Sequence, residues 1–237
     1  MRKYKKEDEL SYSLGTELTL ELLLQHPQDV IRVYVHSKQK DNPIYNRIKV
    51  LCDKYQKEIV QNDKIFNILS DKDNCYIIGL FKKYVSEIDR NANHLVLVNP
   101  SNMGNLGTII RTSLGFGINN LVLIRPAVDI YDPKCIRASM GAFFELNFEY
   151  FDSFEQYLSS VSKREIFPFM LDGAKQLEEI EIPERYSLVF GNEATGLPSD
   201  FHRYGQSVFI KHLHTIDSLN LTNAVSIGLY QFTLRRI

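Results

Sequence analysis

The run HLVLVN (residues 94–99) leads through a short loop into NLGTIIRTSLGFG (105–117), and the reading of that junction decides the fold. Leu95, Val96, Leu97 and Val98 are continuously apolar, as in a strand buried on both faces. Leu106, Ile109, Ile110 and Leu114 follow at helical spacing. Asn105 is the expected N-cap, and Arg111 falls off the apolar stripe. Gly107 in the first turn costs about 1 kcal/mol relative to alanine, so something is expected to approach the backbone there. Alone, the stretch reads as a capped helix with a surface arginine or as an anion-holding helix mouth.

The rest of the second half repeats the alternation. Strands are predicted at 121–124, 166–171, 186–190 and 207–210, and helices at 134–143, 153–163 and 219–235. Strand and helix in turn imply a largely parallel sheet with helices on both faces, an α/β architecture. Ligands of such sheets sit beyond the carboxyl ends of the strands, so the loops at 100–107, 191–197 and 211–220 are where a site is expected.

The first part reads as a smaller α/β unit. It has a helix at 18–27, an alternating strand at 30–37, a helix at 43–56 and an apolar strand at 75–84. The polar stretch VSEIDRNANH (85–94) is the candidate linker, giving domains at 1–88 and 89–237.

Charge sets only loose bounds. The chain has 28 Lys and Arg against 29 Asp and Glu, a net −1, so nucleic-acid contact would rest on a local patch. Cys52, Cys75 and Cys135 form no CxxC pair, so neither a zinc ribbon nor a disulfide framework is indicated. The N-terminus has no apolar segment of a secretory signal and no stretch is long enough to span a bilayer. A reduced, cytoplasmic location is the expectation.

Two further loops carry chemistry. In LVFGNEATGLPSD (188–200) a strand runs into Gly191 and Asn192, and Glu193 stands between Gly191 and Gly196, with Leu197 and Pro198 beyond. The glycines permit positive φ and expose backbone polar groups. A tight strand-to-helix connection explains the glycines but not the carboxylate. In IKHLHTIDSLNLTNAVSIGLYQF (210–232), Ser218 and Asn220 stand where the last helix starts and are expected caps. Leu221, Ala224, Val225, Leu229 and Phe232 form its stripe, with Gly228 allowing close approach of another element. His212 and His214 share one face of an extended segment but lack a third ligand, so no metal is expected. Gly115-Phe-Gly117 ends a helix and lacks the third glycine of a dinucleotide fingerprint, and neither a Walker A sequence nor a GxSxG elbow occurs.

In order, NLGTIIRT, LVFGNEATGLP and DSLNLTNAVSI resemble the three signature motifs of the SpoU (TrmH-type) RNA 2′-O-ribose methyltransferases, of the SPOUT superfamily. IRASMGAFFEL (136–146) is similar to that family's RaSaGA segment, and the front part resembles an L30e-like RNA substrate-binding domain. The resemblance implies a SPOUT-type parallel sheet with a trefoil knot, S-adenosyl-L-methionine as cofactor, a homodimer and an RNA substrate, ribosomal RNA ahead of transfer RNA. A transfer-RNA 2′-O-methyltransferase and a catalytically silent RNA-binding relative are the alternatives.

By the same resemblance Asn105 and Arg111 work at the acceptor ribose and its phosphate, while Glu193, Ser218 and Asn220 shape the catalytic pocket. Gly191, Asn192, Gly196, Leu197, Ile210, Lys211 and Leu219 are expected to hold the cofactor through backbone groups and apolar contact. One departure stands out: where that family has Ile-Pro-Met, this chain has Ile210-Lys211-His212.

Overall fold

A computed structural model describes residues 2–70, 74–213 and 215–234. The chain divides into two compact units, one of residues 1–85 with 129–145, the other of 86–128 with 146–237.

The first unit holds β1 (Leu10–Leu14), α1 (Thr16–Gln25), β2 (Val30–Val35), α2 (Pro43–Lys54), β3 (Glu58–Gln61), α3 (Asp63–Leu69) and β4 (Ile77–Lys82). The strands form one mixed sheet in the order β1-β4-β2-β3. β1, β3 and α3 fall outside the elements predicted from sequence. α2 is the best-signalled helix, with the Asn42 side chain capping Tyr45 N–H at 2.9 Å and Pro43 in its first turn.

The segment 129–145 belongs to this unit by its packing, although the sequence places it in the second domain. Its aromatic residues explain why: Tyr131, Phe143 and Phe144 pack with Phe81 and Tyr84. Within it, α5 (Pro133–Ala138) is shorter than the predicted 134–143, because Met140 and Gly141 take positive φ and break the helix before a 3-10 turn at Ala142–Glu145.

The second unit holds β5 (His94–Val98), α4 (Met103–Gly115), β6 (Asn120–Ile124), β7 (Asn147–Phe151), α6 (Phe154–Ser160), β8 (Glu165–Pro168), β9 (Lys175–Gln176), β10 (Tyr186–Phe190), β11 (Val208–Phe209) and α7 (Leu221–Thr233). Five strands make an all-parallel sheet in the order β7-β6-β5-β10-β8. Val96, Val122 and Val189 face α6 through Phe154 and Tyr157. On the other face α7 packs against β10, and its Phe232 meets Phe167 and Tyr186. This double burial is why the strands read as continuous apolar runs.

Two expectations are corrected here. The predicted strand at 207–210 lies outside the main sheet: β11 pairs with β9 in a separate two-stranded ribbon. The fifth strand is β7, whose NFEYF carries a charge at its centre and gave no continuous apolar run.

The strand order places a switch point between β5 and β10. From β5 the chain builds outward through β6 to β7, then crosses to the opposite edge at β8 and returns inward to β10. The loops after β5 and β10 therefore leave adjacent strands in diverging directions and open a crevice between them.

Candidate functional site

Beyond the carboxyl ends of β10 and its neighbour β8 lies a cavity of about 260 Å³, walled by parts of four segments: 169–172, 190–197, 208–212 and 218–224. The first segment leaves β8, the second leaves β10, the third is β11 with its exit, and the fourth is the entry to α7.

The 191–197 loop is held by both of its glycines, for different reasons. Gly196 has φ of +67°, the conformation that glycine tolerates without strain. Gly191 instead gives room: a Cβ there would stand 2.1 Å from the carbonyl carbon of Gly196. The expectation of positive φ at both is thus corrected for Gly191. Asn192 and Gly196 exchange backbone hydrogen bonds at 3.2 and 2.9 Å, closing the loop into a small ring. The Asn192 side chain pins that ring, donating through Nδ2 to Asn99 O at 2.8 Å and accepting from Ala194 N–H at 2.9 Å.

Glu193 joins this loop to the start of α4. Its carboxylate accepts from Ser101 N–H (3.1 Å), Ser101 Oγ (2.7 Å), Asn102 N–H (3.2 Å) and Asn105 Nδ2 (3.3 Å). Partial burial works to raise its pKa, but the hydrogen bonds from Ser101 and Asn105 outweigh it, so the carboxyl is held below its ordinary range and stays ionised.

Asn105 is not the N-cap of α4. The helix starts two residues before it, and Asn102 caps it by accepting the Asn105 N–H at 3.0 Å. Asn105 is thereby free to reach Glu193, and because Nδ2 donates there, Oδ1 remains its acceptor. Gly107 is buried inside α4. Leu114 is only partly buried, and the small Ser113 takes the covered position, donating to Ile118 O. Arg111 is exposed on α4 and makes no ion pair or hydrogen bond with the described residues.

At α7 only one of the two expected caps is a cap. Asn220 accepts from Thr222 N–H at 2.9 Å, whereas Ser218 is exposed and borders the cavity. Asn220, Asn105 and Arg111 do not line the cavity, and Gly191, Asn192, Glu193, Gly196, Leu197, Ile210, Ser218 and Leu219 do. Lys211 is exposed and outside it, and His212 occupies the wall instead, its Nδ1–H donating to Ile210 O at 2.8 Å. His214 lies outside the described residues. Gly228 meets an intrachain neighbour: a Cβ there would stand 2.9 Å from Phe169 Cζ and 3.0 Å from Phe190 Cζ, which stack on each other.

Sequence reasoning missed Met170, Leu171 and Asp172, which form the wall beyond β8. The signal was present in the rule that sent attention to the carboxyl ends of the other strands. It also missed Ser101 and Asn102, because holding a carboxylate 92 and 91 residues away leaves no local trace.

Comparison with known proteins bears on this site. Residues 92–230 match the SpoU rRNA Methylase family. A 23S rRNA (uridine(2479)-2′-O)-methyltransferase of Streptomyces viridochromogenes is 30% identical over 146 residues, covering 58% of this chain and 51% of the relative. The chain thus spans about half the length of that relative. An AdoMet-bound rRNA methyltransferase from Sinorhizobium meliloti has the same fold, with a TM-score of 0.82 at 21% identity, over 97% of this chain and 88% of that one. A structure described by the 2-OH methylation of C/U34 on tRNA matches 63% of this chain and all of its own, at 28% identity and a TM-score of 0.57.

Proposed function

The chain belongs to the SpoU rRNA methylase family, and on that premise we propose that it transfers a methyl group from S-adenosylmethionine to a ribose 2′-hydroxyl of structured RNA. The observation that carries this reading is Glu193, which ties the cavity loop to the start of α4 and so joins a ligand site to a helix whose Arg111 guanidinium is unpaired among the described residues. Ribosomal RNA is proposed ahead of transfer RNA, on the relative from S. viridochromogenes.

The cavity suits an adenosyl donor. Its walls combine apolar Phe190, Leu197, Ile210 and Leu219 with a loop of exposed backbone, and among the described residues no lysine or arginine lines it. A nucleoside triphosphate would leave its phosphates without a cation there, which argues against a phosphate-binding enzyme. S-adenosylmethionine supplies an electrophilic methyl on a sulfonium sulfur. The chain supplies placement, which for an in-line transfer contributes several kcal/mol. Asn105 is proposed to work at the acceptor ribose, where its Oδ1 can accept a hydrogen bond. Arg111 is proposed to grip the neighbouring phosphate bidentately and stabilise the developing alkoxide, since a guanidinium is not a ready base. The retention of Asn105, Arg111, Glu193, Ser218 and Asn220 speaks against a silent RNA-binding relative.

The first unit is proposed to choose the RNA, reading shape and exposed loops. A trefoil-knotted C-terminus, a homodimer and a cytoplasmic location complete the proposal. The outward side of α7, with exposed Ile227 and Tyr230, is the candidate dimer face now that Gly228 is accounted for within the chain. Among the described residues no helix is long and apolar enough to cross a membrane.

Calorimetric titration with S-adenosylhomocysteine and with ATP tests the donor, and ribose-methylation mapping of total RNA with and without the gene tests the acceptor. Binding of ATP alone, or no change in any ribose methylation, would overturn the proposal.

A further inference from the structure

The wall beyond β8 carries a run of side-chain contacts linking Asp172, His202 and Ser207. Ser207, buried beside β11, accepts the Ala174 N–H through Oγ at 2.9 Å and lies 3.0 Å from His202 Nδ1. The other ring nitrogen of His202 is 3.1 Å from Asp172 Oδ2. One neutral arrangement satisfies all three contacts: Ser207 donates to Nδ1, and Nε2–H donates to the carboxylate. The sequence that links them, Asp172-Gly173-Ala174, is thereby fixed at both ends, and Asp172 stands in the cavity wall.

An exposed carboxylate needs no such fixing to be soluble. Its charge is one of two in the cavity wall. The cavity's second carboxylate, Glu193, already accepts from Ser101, Asn102 and Asn105. Among the described residues Asp172 has only the His202 contact at one oxygen, and no lysine or arginine lines the cavity to neutralise it. The cavity wall therefore carries two carboxylates, Glu193 and Asp172, and Asp172 is the one held by a histidine.

We infer that Asp172, positioned by His202 and Ser207, reads the charge of the occupant and favours the sulfonium donor over the thioether product. The inference rests on the methyl-donor reading above. Transfer breaks the carbon–sulfur bond, leaves its electron pair on sulfur and forms a carbon–oxygen bond, while the hydroxyl proton departs to buffer. The donor carries a net +1 at neutral pH and the product carries none. A carboxylate in the wall attracts the first and is indifferent to the second, so it helps capture the donor and release the product. Because the Asp172 side chain is 71% exposed, solvent screens the effect to a modest size.

The test is calorimetric titration of the full chain with S-adenosylmethionine and S-adenosylhomocysteine. In Asp172→Asn the donor should bind roughly three- to tenfold more weakly, with product affinity changed less than twofold. Asp172→Glu, which keeps the charge, should retain most of the preference, and raising the salt should shrink it in the unaltered chain. His202→Gln should reduce the preference less than Asp172→Asn does, since it loosens the carboxylate without removing it. An unchanged donor-to-product ratio in Asp172→Asn, with both ligands bound, overturns this inference alone. Failure of the unaltered chain to bind either ligand overturns the methyl-donor reading and this inference with it.

Discussion

Ser101 grips Glu193 twice, through its hydroxyl at 2.7 Å and its backbone N–H at 3.1 Å, although 92 residues separate them. One residue leaves β5 and the other leaves β10, and the adjacency of those strands brings them together. Removing the carboxylate leaves several donors unmatched at a partly exposed site. Glu193→Ala should therefore lower methylation at least tenfold and cost about 1 kcal/mol of stability. Ser101→Ala, which keeps the N–H contact, should have a smaller effect on both. Equal turnover in all three proteins would detach this junction from function.

Arg111 separates binding from chemistry. It is exposed and outside the cavity wall. Arg111→Ala should abolish turnover while S-adenosylhomocysteine affinity stays within about twofold, because the guanidinium acts on the RNA side. An equal loss of cofactor affinity would contradict that division.

The two glycines of the cavity loop should respond differently to a methyl group. At Gly191 the added Cβ would collide with the backbone of Gly196, which has no side chain to swing away. Gly191→Ala should cost more than tenfold in S-adenosylhomocysteine affinity. At Gly196 a Cβ meets nothing within 4 Å, so only the φ of +67° is penalised. Gly196→Ala should cost about 1 kcal/mol, read as a lower melting temperature with weaker effects on affinity.

His94 sets an acid limit to stability. Burial pushes its pKa down to about 4 from the ordinary 6.5, against the opposing bond to Asp89 O, with the Arg164 charge adding to the depression. The unfolded chain thus binds a proton between pH 6.5 and about 4 that the folded chain refuses. Stability from this group is complete above pH 6.5 and declines on acidification toward pH 4, by about 3 kcal/mol. Denaturant melts across that range should show the decline, and His94→Gln should flatten it.

The helices of the second unit were legible because their apolar residues recur at helical spacing, and β5, β6 and β10 because both of their faces are covered. β7 and β9 were not, since a charged centre and a two-residue length carry no period. The expected cap of α4 lies three residues past the observed one because Asn102 and Asn105 are equally good caps by residue type, and only the Glu193 contact distinguishes them. Segment 129–145 was assigned by chain order, whereas its aromatic packing assigns it to the first unit.

By itself, the amino-acid order determined the class of fold and the three loops to search, because periodicity and turn chemistry are local properties. Only the tertiary structure decided that β10 returns beside β5, that Glu193 is fastened by Ser101, and that Asp172 enters the wall on a histidine from another segment. Those depend on strand order in the sheet, and strand order is set by the packing of whole elements, which no short window of residues encodes.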